Sequence, residues 1–151
     1  MPQITLVVVA LATAFALVSL GGGAYEYLVV DPVWPRRSDI IQPARGGISR
    51  RRFWMPAHGV FELCLIAALV ATWSVPVRTV LLVALASHGC MRMWSVFDFI
   101  PKAMAFERAE PADIELLAAQ RWTRRSLARL PLDLVTCGAM LTALVAVARM
   151  A

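Results

Sequence analysis

Apolar positions are concentrated in long uninterrupted runs rather than in alternating or amphipathic patterns. Residues 4–30, 53–73 and 79–99 each read as a membrane-crossing helix of about 20 apolar residues, and residues 132–148 sit near the shorter limit of about 17. The expected fold is therefore all-α: a four-helix transmembrane bundle in a single integral membrane domain covering residues 1–151. The first run lacks a basic segment ahead of it and is too long for a signal-peptide core, which predicts a retained helix. The segment 31–52 carries Pro32, Pro35, Pro43 and the pair Gly46–Gly47, which break helices and favour turns. Its apolar pieces, Val33–Trp34 and Ile40–Ile41, predict a long first loop packed on the membrane surface. "SVPVR" at 74–78 is a tight turn, making the second and third helices antiparallel neighbours. Pro101 opens the last loop, 100–131, within which Glu110–Pro111 precedes an amphipathic interfacial helix over 113–129. Ala118, Trp122, Ser126 and Arg129 form one stripe of that helix.

Composition agrees with this pattern. Hydrophobic residues make up 60% of the chain and charged residues 17%, against roughly 45–50% apolar in soluble proteins. The net charge of +5 raises the question of nucleic acid, but its placement excludes that partner. Arg36, Arg37, Arg45, Arg50, Arg51 and Arg52 fall in the first loop, and Lys102, Arg108, Arg121, Arg124, Arg125 and Arg129 in the last. Arg78 alone occupies the middle turn, and Arg149 the C-terminal end. The positive-inside rule then makes both long loops cytoplasmic and both termini periplasmic, in a bacterial inner membrane. Cys64, Cys90 and Cys137 lie in three different runs, a pattern of small apolar core residues rather than of disulfides. The chain has no inverted repeat and no pair of broken helices, so a transporter would require a homo-oligomer, which the sequence leaves open.

Candidate chemistry comes from ionisable residues inside the apolar runs, where they are costly and by default face the bundle interior. Glu26, His58, Glu62, His88, Arg92 and Asp98 are of this kind, with Asp133 at an edge. His58 and Glu62 are four residues apart, as are His88 and Arg92, so each pair forms a stripe on one helix face. Counting rise from the cytoplasmic ends puts His58 roughly 7 Å deep, Glu62 roughly 13 Å, Arg92 roughly 10 Å and His88 roughly 16 Å. The two stripes are expected to face each other in a polar pocket of the cytoplasmic half, roofed by the 31–52 loop and the 113–129 helix. Trp54 extends one stripe, and Ser95 and Phe99 the other. Ser19, Gly22, Gly23 and Glu26 share a face of the first helix that permits close approach.

Three chemistries fit such a pocket. Glu26, His58, Glu62 and His88 supply two carboxylates and two imidazoles, a donor set for iron, manganese or zinc, although Arg92 disfavours a cation there. Without a cofactor, Glu62 and His58 would serve as base and proton relay and Arg92 would stabilise an anion as it forms. Alternatively, the charges neutralise one another and lock helix packing. Haem held between His58 and His88 is disfavoured, because their expected depths differ by about two turns.

The segments "GGGAYEYLVVDPVWP", "RFWMPAHGVFE" and "FDFIP", and above all "RWTRRSLARLPLDLVTCGAM", resemble the anthrone oxygenase-like family of small four-helix membrane proteins. Trp122, Ser126 and Arg129 stand where that family carries W-x-x-x-N-x-x-R, with serine in place of the usual asparagine. The resemblance implies a membrane-embedded oxidoreductase that oxidises a lipophilic, aromatic or polyketide-like carbon acid without an evident cofactor motif. Trp54, Trp94 and Phe99 would offer apolar or aromatic walls to the substrate, with interface anchoring as their alternative role, and Trp122 and Arg129 are further candidate substrate contacts. The rival expectation is a non-catalytic membrane binding protein or an accessory subunit of a larger membrane complex, whose polar stripes meet a partner's helices.

Overall fold

A computed structural model describes residues 2–150. Among the described residues there are helices and turns and no strand. Helices α1 (Pro2–Tyr25), α2 (Arg50–Ala71), α3 (Val77–Trp94) and α6 (Leu130–Ala148) form the body, with the shorter α4 (Ile100–Arg108) and α5 (Leu116–Ser126) at one end. Four continuous helical stretches are long and apolar enough to cross a membrane: Gln3–Val30, Arg50–Ala71, Val77–Arg108 and Leu116–Ala148.

The third stretch does not stop at Pro101, as the proline signal suggests. After Trp94 the helix widens into a π-turn over Ser95–Phe99 and then resumes as α4. Pro101 stands in the first turn of the resumed helix, where a missing N–H costs little. A matching π-turn, Glu26–Val30, ends the first stretch. The interfacial helix is also less separate than its sequence suggests. From α5 the chain passes through one 3₁₀ turn, Leu127–Arg129, straight into α6. The loop 100–131 is thus mostly helical, whereas 31–49 is a chain of 3₁₀ turns at Trp34–Arg36, Ser38–Ile41 and Pro43–Arg45.

Packing between the long helices is uneven. α1 lies closely against both α2 and α6, and α3 closely against α6, while α2 and α3 approach each other much less despite the short turn between them. The close pairs meet through small residues and side chain-to-backbone bonds. Cys137 Sγ donates to the Ala16 carbonyl at 3.3 Å, Thr13 Oγ1 to Met140 at 3.3 Å and Ser87 Oγ to Leu132 at 2.8 Å. Gly22 lies so close to the Phe53 ring that a Cβ there would overlap it. Between α2 and α3 stand the large side chains of His58, Glu62, His88 and Arg92, which hold the two backbones apart.

One apolar core runs through the bundle, built on Val9, Ala12, Ala16, Phe61, Leu65, Leu81, Ala84, Met140 and Ala143. A second closes the loop end with Val30, Trp34, Ile41, Phe99, Ala119 and Trp122. Trp34 meets Phe106 at 5.3 Å and Trp122 at 5.8 Å between ring centroids, both tilted as aromatic quadrupoles prefer. Gln42 ties the first loop to this cap: its Nε2 donates to the Phe106 and Ala109 carbonyls at 3.0 and 2.8 Å, satisfying the C-terminal end of α4.

A candidate acid–base site in the α2–α3 seam

Phe61, Leu65 and Ala68 mark the core-facing side of α2, which fixes His58 and Glu62 one turn apart beside it. On α3, Leu81 and Ala84 do the same for His88 and Arg92. The two stripes meet as their spacing predicts. Arg92 Nε donates to Glu62 Oε1 at 2.9 Å, and His88 Nε2 lies 3.2 Å from the same oxygen. An ionised carboxylate only accepts, so this second bond requires the His88 proton on Nε2. The His58 ring lies 5.4 Å from His88 and stacks on Trp54 at 5.1 Å with a 17° interplanar angle. Phe61 presents its edge to His88 at 4.7 Å, so the imidazole is held on several sides.

His58 and His88 are buried, whereas the Glu62 and Arg92 side chains are 39% and 31% exposed on the outer side of the seam. The site therefore has a sealed imidazole floor and an accessible ion pair. The two histidines stand one helical turn apart in pairing register rather than two, because the Thr72–Pro76 turn sets the register and not the ends of the apolar runs.

Glu26 joins this set only through tryptophan. Its Oε1 accepts from Trp54 Nε1 at 3.1 Å. With Glu26 occupied by Trp54 and Glu62 by Arg92, the expected four-residue ligand set does not converge. Among the described residues no three His, Cys, Asp or Glu side chains are grouped to hold a metal ion. Asp98 belongs elsewhere, paired with Lys102 and, at 2.5 Å, with Arg125 at the loop end. Asp133 lies in the first turn of α6.

The proposed aromatic walls divide. Trp54 is part of the seam. Phe99 and Trp122 are buried in the cap core, where Trp122 Nε1 donates to the Phe99 carbonyl at 3.3 Å. Trp94 packs against Phe99 at 5.4 Å and faces outward. Arg129 lies over Phe99, 4.4 Å from the ring centroid, and its Nη1 donates to Ser95 Oγ at 3.0 Å. Ser95 follows His88 and Arg92 on the same α3 face, which places Arg129 one turn beyond the ion pair. Apart from Trp54, these residues thus sit at the cap rather than in the seam. A cleft of about 410 Å³ also lies apart from the seam, between Pro35–Asp39 and Pro111, Ile114 and Leu116.

Sequence reasoning missed Asp31. It is buried beneath the cap, accepting from Trp34 Nε1 at 3.0 Å and facing Ser126 Oγ at 3.5 Å. Tyr27 donates to the Ser126 carbonyl at 2.5 Å and Arg129 Nε to the same oxygen at 3.3 Å. Burial, reinforced by the nearby Glu26 carboxylate, pushes the Asp31 carboxyl up to about 6; the Trp34 bond and the Arg50 and Arg129 charges offset only part of this. Arg50 is itself buried, between Trp34 and Trp122 at 5.9 and 5.2 Å, and reaches Glu107 at 3.5 Å. The signal available in the sequence was an acid directly after an apolar run, followed three residues later by tryptophan.

No family model, characterised protein or solved structure matches this chain.

Proposed function

We propose that the chain is an integral membrane enzyme whose α2–α3 seam removes a proton from a lipophilic carbon acid reaching it from the bilayer. The observation that supports this most is the Glu62–Arg92–His88 cluster in the least closely packed seam between otherwise apolar helices. The bundle spans the membrane with its arginine-rich end, including Arg51, Arg52, Arg124 and Arg125, in the cytoplasm and its termini on the far side.

The ion pair gives a charge-conserving route for the reaction. In the resting site Glu62 is anionic and neutralised by Arg92. An activated C–H of the substrate gives its proton to the Glu62 carboxylate, and Arg92 turns its hydrogen bonds to the substrate anion. Positive and negative charge remain paired throughout, which matters where the surroundings are poorly polarisable. Glu62 gives the proton up again as the product forms, which returns the base to its starting state. His88, donating from Nε2, holds the carboxylate in place, and His58 packs against the His88 ring. With an electron-rich polycyclic phenol, as the family resemblance implies, the carbanion passes its electrons to dioxygen: CH₂ and O₂ become C=O and H₂O.

A second reading has its own support. The exposed side of the Glu62–Arg92 pair would also suit a partner's polar helix, as in an accessory subunit. Substrate-dependent oxygen consumption by the protein in lipid nanodiscs, lost in Glu62→Gln, supports the enzyme. Absence of consumption across a panel of polycyclic carbon acids, with one partner co-purifying stoichiometrically, supports the subunit.

A further inference from the structure

Two buried polar atoms on facing helices have no partner among the described residues: Ser19 Oγ on α1 and His58 Nδ1 on α2. Both residues are more than nine-tenths buried, at 6% and 7% exposure. The helices run antiparallel, and their register is pinned at three points. Gly22 abuts the Phe53 ring, a Cβ on Gly23 would lie 3.9 Å from Trp54, and Glu26 accepts from the Trp54 indole. Continuing that register one turn into the bundle brings Ser19 level with His58.

The behaviour of the neighbouring hydroxyls sharpens the point. A serine or threonine inside a helix ordinarily bonds the carbonyl four residues back. Thr13, Thr72, Thr136 and Thr142 all do so here, at 2.8 to 2.9 Å. Ser19 does not bond the Phe15 carbonyl in this way, although nothing in the helix prevents it. Ser19 shares the α1 face of Gly22, Gly23 and Glu26, which meets α2. On α2 the Nδ1 of a ring held between Trp54 and His88 also lacks a partner among the described residues. Buried polar atoms are nearly always satisfied, and ordered water is the commonest agent when protein groups do not suffice.

We infer that one water molecule is bound between α1 and α2, bridging Ser19 Oγ and His58 Nδ1. It decides which His58 nitrogen carries the proton, and so links α1 to the imidazole pair beneath Glu62. The water site stands on its own geometry; its value in positioning His58 rests on the acid–base reading above.

The test uses the full chain in nanodiscs with ¹⁵N-labelled histidine, together with a high-resolution structure. The expected result is a density peak within hydrogen-bonding distance of both atoms. In Ser19→Ala that peak is lost and the His58 Nδ1 resonance moves toward its unbonded position, while His88 stays in place. No peak, with the Ser19 hydroxyl on the Phe15 carbonyl and the His58 resonance indifferent to Ser19→Ala, overturns the inference. Glu62→Gln separates the two proposals, because it stops turnover and leaves the Ser19–His58 water in place.

Discussion

Removing the charge of Arg92 while keeping its bulk, as in Arg92→Met, leaves Glu62 with His88, at 3.2 Å, as its one remaining donor among the described residues. Two unit charges about 4 Å apart interact by about 4 kcal/mol at an effective dielectric constant near 20. Two things reduce this. The side chains are 39% and 31% exposed, and both charges give up part of their solvation on folding. A net coupling of about 2 kcal/mol remains, within the range typical of residues in direct contact. A double-mutant cycle with Glu62→Gln, Arg92→Met and the double variant isolates that coupling from each side chain's separate packing. Reversible unfolding in mixed micelles provides the four free energies. Arg92→Met alone should be the most destabilised of the four proteins, because it leaves a carboxylate undercompensated. A coupling below about 0.5 kcal/mol would mean that the pair does not act as one unit, and the charge-conserving reaction would lose its basis.

Further outcomes follow from the cap and the first loop. The folded-state value of Asp31, about 6, lies above its ordinary value of 3.8, so the folded protein binds the proton more tightly than the unfolded chain. Its contribution to stability is therefore fully present below about pH 4 and is lost as pH rises through about 6, by up to about 3 kcal/mol. Asp31→Asn keeps an acceptor for Trp34 and removes the titration; relative to the parent protein it should gain stability between pH 4 and pH 7, measured by thermal unfolding. A Cβ at Gly47 would collide with the carbonyl oxygens of Asp39 and Ile40, which are backbone and cannot turn aside. Gly47→Ala should cost about 1–3 kcal/mol, the range for overpacking. Gly22→Ala, facing only the flexible end of the Phe53 ring, should cost less in the same melting assay.

Much of this arrangement is legible in the sequence because helical periodicity carries it. His58 with Glu62, and His88 with Arg92, are each one turn apart, and two such stripes on consecutive antiparallel helices have few ways to avoid meeting. Long apolar runs likewise locate the first two stretches to within a few residues, whereas the third runs on past Phe99 to Arg108 and the fourth begins at Leu116 rather than Leu132. What escaped depends on departures from periodicity. The π-turn at Ser95–Phe99 lets the helix continue past Pro101, and no residue pattern announces it. The looser α2–α3 packing follows from side-chain bulk across the seam, whereas loop length alone suggests close neighbours. Asp31, Trp34 and Gln42 act through a first loop of 3₁₀ turns, where spacing does not tell which residues face inward. Glu26 shares its face with Ser19 and Gly22 as the register implies, yet its partner is the Trp54 indole rather than a metal or His58.

The most direct test is hydrogen–deuterium exchange at the activated carbon of a lipophilic carbon acid, followed by mass spectrometry in D₂O without oxygen. It reads proton abstraction alone, with the protein in nanodiscs. The expected result is exchange well above that of empty nanodiscs, falling on the order of 100-fold or more in Glu62→Gln, the loss typical of a missing general base. Exchange that is equal in the parent protein and in Glu62→Gln, while the variant melts as a folded bundle, would contradict it.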